Sequence, residues 1–219
     1  FAKEGIDATY TAFPLASIDE FPSLIWRNRQ LQGLNVTIPY KESVIQYLHE
    51  IDKDAEKIGA VNCITINKGT LKGYNTDALA FRHSLIPLIE PHHKNALILG
   101  TGGASLAVAF VLDELGIPYV RVSRQKDIDR IGYDEVNASV LSRFHIIINT
   151  TPLGMYPNID DAPPIPYKAI TAKHLLYDLI YNPVETKFLA LGKAQGAVIK
   201  NGYEMLHLQA DASWEIWNR

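Results

Sequence analysis

The sequence predicts an α/β protein of two lobes, the second built on a doubly wound parallel sheet. Three observations carry that prediction. Apolar, β-branched runs alternate with helical periodicity along the whole chain, and strands separated by helices pair in parallel through right-handed crossovers. From Asn95 the pattern sharpens in NALILGTGGAS, where a wholly apolar run meets glycines and then a small-residue helix. The length, 219 residues, suits one large domain or two small ones and is enough for a real core.

Taken in order, the first lobe reads as a strand over 8–13, a helix over 18–32, a strand over 34–38 and a helix over 41–51. Two strands follow over 61–67 and 70–73, turned by Lys68-Gly69, and then a helix over 76–88 and a polar linker over 90–94. The second lobe reads as a buried strand over 96–99, a helix over 103–115 and a strand over 119–122. A weak helix over 136–142 precedes strands over 144–149 and 175–179. A helix over 185–195, a short strand over 198–199 and a closing helix over 203–217 complete the chain. The lobes are expected to meet near Asp77 and again near Asn201.

Composition narrows the function classes. A net charge of −3 advertises neither nucleic acid nor an anionic membrane as a partner. The single cysteine, Cys63, has no internal partner for a disulfide, which fits a reducing, cytoplasmic setting. The most apolar run, over 96–112, is broken by Thr101-Gly102-Gly103 and is too short to span a bilayer. The chain opens on FAKEGIDATYTAFPL, without Met or a signal peptide, and 1–5 reads as the last turn of a helix ending at Gly5. A chain that starts inside a helix is expected to have lost an upstream segment.

The run into Gly100-Thr101-Gly102-Gly103-Ala104 has the form of a first βα turn that cradles a pyrophosphate. Glycines let the backbone approach the phosphates, which lie on the helix N-terminus. Ser105 stands where the third glycine of G-x-G-x-x-G would be, and the absence of GK[ST] argues against a P-loop. An ordinary glycine-rich turn is the alternative. About 20 residues on, an NAD enzyme would place Asp or Glu to grip the ribose. This chain has VRVSRQK, with Ser123 and Arg124 at that point, and a guanidinium suits a 2′-phosphate. NADP is therefore favoured over NAD. NTTPLGM, with Thr150, closes a third strand whose carboxyl end should flank the cofactor.

Thr37 and Lys41 in NVTIPYK, Asn62 in GAVNC, and Asn75 and Asp77 in GYNTD all fall at strand ends or helix starts. Taken singly, Lys41 is a surface lysine, Asn62 a satisfied turn amide, and Thr76 or Asp77 a helix N-cap. Together they suit a polyhydroxylated substrate beside a hydride carrier. On this reading Lys41 opens the helix over 41–51, where the dipole makes its proton easier to release.

NVTIPYK, GAVNC, GYNTD, GTGGAS, NTTPLGM, YDLIYNP and NGYEMLHLQA, in that order, resemble the successive motifs of the shikimate dehydrogenases and cover nearly the whole chain. The resemblance implies NADPH-dependent reduction of 3-dehydroshikimate to shikimate, in the route to chorismate and the aromatic amino acids. It implies a catalytic pair, Lys41 and Asp77, and substrate-hydroxyl ligands Thr37, Asn62, Asn75 and Gln209. Tyr181 would lie near the substrate carboxylate and Gly202 near the nicotinamide amide. Gly100, Gly102, Gly103 and Ala104 would hold the pyrophosphate, Ser123 and Arg124 the 2′-phosphate, with Thr150 beside them. Residues 1–77 and 202–219 would form the substrate lobe and 78–201 a Rossmann domain, in a monomer or homodimer.

The family's N-terminal strand and Ser-x-Ser carboxylate anchor lie upstream of Phe1, which implies weak substrate binding and an open strand position in the first sheet. Ser123-Arg124-Gln125 matches the Asn-Arg-Thr pattern of strict NADP members only in part. A quinate/shikimate dehydrogenase using NAD and a non-catalytic dinucleotide or shikimate binder are the alternatives. The seven histidines show no metal spacing, and no metal is expected. Trp214 and Trp217 are read as packing residues of the closing helix, and Cys63 as a buried thiol.

Overall fold

A computed structural model of the chain describes Phe1 and residues 5–219. The helix end expected over 1–5 falls largely outside the described residues. The chain forms two compact units, Phe1–Leu31 and Gln32–Arg219.

In the first unit a 3-10 turn, Ile18–Glu20, is capped by Ser17 Oγ, which accepts the Asp19 N–H at 3.3 Å. The turn runs into helix α1, Phe21–Arg27, which has proline in its first turn, where no N–H is needed. α1 stops short of the expected end at 32 because Asn28 turns its side chain back onto the Leu24 carbonyl at 2.8 Å. No strand forms over 8–13. Its residues from Ala8 to Ala12 are exposed and in no ladder, and alternation without a partner strand does not make a sheet.

The second unit carries two sheets. The smaller has strands β1 (Gly33–Asn35), β2 (Glu50–Ile51), β3 (Cys63–Asn67) and β4 (Thr70–Tyr74), in the order β1-β3-β4-β2. β3 and β4 are an antiparallel hairpin, and Lys68 and Gly69 both take positive φ at its turn, 49° and 86°. The helix expected over 41–51 is not there. Ser43–Tyr47 makes only a 3-10 turn, and β2 then pairs in parallel with β4. The His49 N–H bonds the Leu71 carbonyl at 2.9 Å and the Asp52 N–H bonds that of Gly73 at 2.8 Å, so pairing wins over local helical periodicity. Asp52 also caps an unanticipated helix, α2 (Lys53–Ile58), which Gly59 ends in the left-handed region at φ 72°. Helix α3, Thr76–Leu85, follows β4 directly.

The larger sheet holds β5 (Ala96–Leu99), β6 (Tyr119–Ser123), β7 (Arg130–Gly132), β8 (Ile146–Asn149), β9 (Leu175–Asp178) and β10 (Val198–Lys200). Their order is β10-β9-β8-β5-β6-β7 and every pairing is parallel. Crossovers are made by α4 (Gly103–Glu114), a single turn α5 (Ala138–Leu141) and α6 (Lys187–Lys193). The chain winds outward in both directions from β5 and β8, which makes their carboxyl ends the topological switch point where such sheets bind ligands. Alternate residues face opposite cores. Ala96, Ile98, Ile146, Ile148 and Tyr177 pack with α3 and α4, while Leu97, Leu99, Ile147 and Leu176 pack with Phe188 and Leu189 of α6. Each leucine, isoleucine or phenylalanine among them contributes about 1.5–3 kcal/mol by leaving water.

The closing helix α7, Tyr203–Trp217, packs on α3, and α3 packs in turn on α4. Trp217 Nε1 donates to the Ile64 carbonyl of β3 at 3.0 Å, so this tryptophan is indeed a packing residue. No helix among the described residues is long and apolar enough to cross a membrane. No group of His, Cys, Asp and Glu among them is placed to hold a metal ion.

Candidate functional site

Lys41 and Asp77 meet. Lys41 Nζ lies 2.6 Å from Asp77 Oδ2, with the two side chains 14% and 9% exposed. Contrary to expectation no helix dipole acts on Lys41, because Ser43–Tyr47 is a short 3-10 turn without a macrodipole. Its place is set by backbone instead: the Thr37 carbonyl accepts the Tyr40 N–H at 2.9 Å, and the Lys41 carbonyl accepts the Val61 N–H at 2.7 Å. Asp77 is the partner that gains from a helix, since it lies in the first turn of α3, where a carboxylate is favoured.

Asn75, not Thr76 or Asp77, caps α3. Its Oδ1 accepts the Ala78 N–H at 3.1 Å, and its Nδ2 donates to the Ala60 carbonyl at 2.8 Å. Asn62 is buried at 3% exposure. Its Oδ1 accepts the Thr76 N–H at 2.7 Å and its Nδ2 donates to Thr76 Oγ1 at 2.9 Å. Beneath them Thr76 Oγ1 lies 3.3 Å from Ser213 Oγ, which takes a donor from Asn35 Nδ2 at 3.0 Å and itself donates to the Gln209 carbonyl at 2.8 Å. This network ties α7 to the floor of the site. Cys63 lies against it, and burial pushes its thiol up to about 11, as expected of an inert thiol. Gln209 is half-buried, with Nε2 on the Leu206 carbonyl at 3.0 Å, and Thr37 is exposed. Among the described residues no hydrogen bond joins either side chain to the Lys41–Asp77 pair.

The glycine loop lies beside that pair. At Gly100 φ is 116°, and a Cβ there would meet Thr150 Oγ1 at 2.6 Å. Gly102 caps α4, and a Cβ there would have open space around it. At Gly103 a Cβ would come within 3.1 Å of Lys41 Cβ. Ser105 replaces the third glycine at no cost, because its hydroxyl folds back onto the Gly102 carbonyl at 2.7 Å. The α4 N-terminus, from Gly103 and Ala104 on, fits the anionic pyrophosphate of a dinucleotide.

At the end of β6 the Ser123 hydroxyl accepts the Gln125 N–H at 3.2 Å and shapes the turn. Arg124 is exposed, near enough to Tyr133 to oppose the burial that pushes that phenol up to about 12. Lys126 is held by Asp134 at 2.8 Å and Glu135 at 3.3 Å, whereas no ion pair among the described residues uses Arg124. Arg124 is thus the cation of this turn that no ion pair among the described residues occupies.

Thr150 is held by Leu99, whose carbonyl accepts from its hydroxyl at 2.8 Å. Tyr181 is 47% exposed at the turn after β9. Gly202 rests on the Leu179 carbonyl so closely that a Cβ would overlap it, and its N–H bonds the Ile180 carbonyl at 3.0 Å. Sequence reasoning missed Asp178, fully buried at the end of β9. The signal was present in LLYD, an apolar strand that ends on an acid.

The family model for the shikimate dehydrogenase substrate binding domain matches residues 1–64. A shikimate dehydrogenase (NADP(+)) of Methanosphaera stadtmanae is 42% identical over an alignment of 205 positions that covers 85% of this chain and 72% of that protein. The crystal structure of shikimate dehydrogenase 1 from Peptoclostridium difficile superposes with a TM-score of 0.86 at 37% identity, over 100% of this chain and 83% of that one. A shikimate 5-dehydrogenase from Thermus thermophilus, in complex with NADP(H) and shikimate, gives a TM-score of 0.84 at 29% identity, over 99% and 84%.

Proposed function

This chain belongs to the shikimate dehydrogenase family, and from that premise we propose which of its residues carry the reaction. The reaction is the reversible, NADP-dependent interconversion of 3-dehydroshikimate and shikimate. NADPH, when bound, supplies the hydride. Lys41 gives a proton to the alkoxide that forms on the ring, and Asp77 holds the ammonium in line. The 2.6 Å Lys41–Asp77 contact, in a site sheltered from water, is the observation that carries this assignment.

The glycines at 100, 102 and 103, with Ala104, accept the pyrophosphate on the α4 N-terminus, and Arg124 with Ser123 takes the 2′-phosphate. Thr37, Asn62, Asn75, Gln209 and Tyr181 address the substrate, and Gly202 the nicotinamide. For Asn62 and Asn75 this is a second duty, since both already brace α3. Residues 1–77 with 202–219 form the substrate lobe and 78–201 the cofactor lobe, a division supported by the return of α7 to β3. One chain supplies both the pair and the loop, so a monomer or a homodimer serves equally. A cytoplasmic setting accords with the lone, buried Cys63.

Nicotinamide absorbance followed with 3-dehydroshikimate and NADPH tests the assignment. Lys41→Ala is expected to lose about 100-fold or more in kcat while NADPH still binds. Binding of NADPH without turnover of dehydroshikimate or quinate by the unaltered chain would make it a binding protein instead.

A further inference from the structure

Asp178 gathers three donors from three segments. The Asn149 Nδ2 and the Ile180 N–H both bond Oδ1 at 3.0 Å, and the Thr186 hydroxyl bonds Oδ2 at 2.6 Å. Asn149 passes the tie onward, its Oδ1 accepting the N–H and the hydroxyl of Thr151 at 3.0 and 2.7 Å. The Ile180 carbonyl holds the Gly202 N–H at 3.0 Å, and Thr186 is the N-cap of α6. One side chain thus sets the turn after β8, the turn after β9, the start of α6 and, through Ile180, the approach to α7.

A buried carboxylate is costly even when satisfied, and neutral side chains can close a corner of a fold for less. These turns leave the carboxyl ends of adjacent parallel strands, next to the switch point. We propose that Asp178 is a positioning residue for hydride transfer: as a carboxylate it fixes the 150–154 loop against the 179–181 turn, and so the spacing between Thr150, Tyr181 and Gly202. This rests on the reading in which Tyr181 and Gly202 flank the reacting ring.

Burial pushes the Asp178 carboxyl up to about 6 against the pull of its three donors. Asn149, Ile180 and Thr186 face it without charge, and the titratable group coupled to it is the Tyr167 phenol, itself pushed up by burial and by this carboxylate. Protonation replaces three charge-assisted bonds with weaker neutral ones.

The test compares the unaltered chain with Asp178→Asn and Thr186→Val. It reads kcat and KM across pH, NADP+ affinity by direct titration, and hydrogen exchange in segments 149–155 and 178–182 against segment 100–105. Asp178→Asn is expected to lose about 10- to 100-fold in kcat, the scale of a small misplacement of reacting groups. It should lose the acid limb near pH 6, exchange faster in both outer segments and not in 100–105, and bind NADP+ within about twofold of the unaltered chain, since its main phosphate contacts lie elsewhere. Thr186→Val keeps the charge, so it should keep the acid limb, moved upward. An Asp178→Asn chain with unaltered kcat, pH profile and exchange overturns the proposal, as does exchange that rises evenly through the fold. Failure of the unaltered chain to turn over dehydroshikimate would sink the proposed catalytic assignment alone, because the exchange comparison needs no substrate.

Discussion

Gly103 lies against Lys41, so that a side chain at the first turn of α4 would have to displace the lysine by a few tenths of an ångström. A Cβ at Gly103 would stand 3.1 Å from Lys41 Cβ and 3.7 Å from its Cδ. The 100–103 loop and Lys41 are therefore one packed surface, and a change in either should be felt in the other.

Gly103→Ala is expected to push Lys41 off Asp77 and lower kcat by about tenfold or more, since small misplacements of reacting groups cost that much. Gly102→Ala is the contrast, because its Cβ would meet nothing in the protein. It should melt like the unaltered chain while binding NADP+ less well. Equal kcat for Gly103→Ala and the unaltered chain would refute the coupling.

The Lys41–Asp77 pair is mostly shielded from solvent, so removing one partner strands a charge. Asp77→Ala is expected to cost roughly 3 kcal/mol in urea unfolding. Lys41→Met combined with Asp77→Asn should cost less than that single change, because no charge is left unpaired. A double variant less stable than Asp77→Ala would show that the pair itself is the stabilising element.

Asp178 should make the fold less stable as pH rises. Its carboxyl is raised from 3.8 to about 6 in the folded chain, so the folded state binds this proton more tightly than the unfolded state. Stability from this group is complete below about 3.8 and lost as pH climbs through about 6, over a span worth roughly 3 kcal/mol. Denaturant midpoints between pH 4 and 7 should show this fall in the unaltered chain and not in Asp178→Asn.

His174 should act with the opposite sign. Burial lowers its pKa from 6.5, with its hydrogen bonds to Leu141 and Thr171 pulling the other way. Its Nδ1 accepts the Thr171 N–H at 3.0 Å, so Nε2 carries the proton and donates to the Leu141 carbonyl at 3.0 Å. The neutral form is the folded one. Stability is complete above 6.5 and lost as pH falls toward the lowered value. His174→Gln should remove this acid-side loss, read in the same titration of denaturant midpoints after subtracting the Asp178 contribution. An unchanged acid limb would mean that the ring is not held neutral.

Much of this architecture was legible because local and tertiary preferences agree. The strand Ala96–Leu99 and the helix Tyr203–Trp217 carry periodicities that their surroundings also demand, and the 61–74 hairpin has its turn chemistry at Lys68-Gly69. The expected helix over 41–51 failed where they disagree, since β4 offers Glu50 and Ile51 a ladder that outweighs a helical pattern. β7 went unseen because Arg130–Gly132 is a polar edge strand with no hydrophobic signature. In the site, placement at strand ends and helix starts and the resemblance of the motifs to a known family pointed to Lys41 and Asp77, but the ion pair that joins them across 36 residues is a tertiary fact. Asp178 was missed for a similar reason, because a lone acid after an apolar run does not announce three donors.

The return of α7 to the floor of the site has a consequence for biosynthesis. Ser213 and Trp217 lie in the final helix of this sequence, yet they brace Thr76 and Ile64 beneath the Lys41–Asp77 pair. As the chain leaves the ribosome, all strands of the parallel sheet are available before that helix appears. The parallel sheet can therefore assemble while the floor beneath Lys41 and Asp77 is still unfinished, and that floor is complete only once α7 has been made.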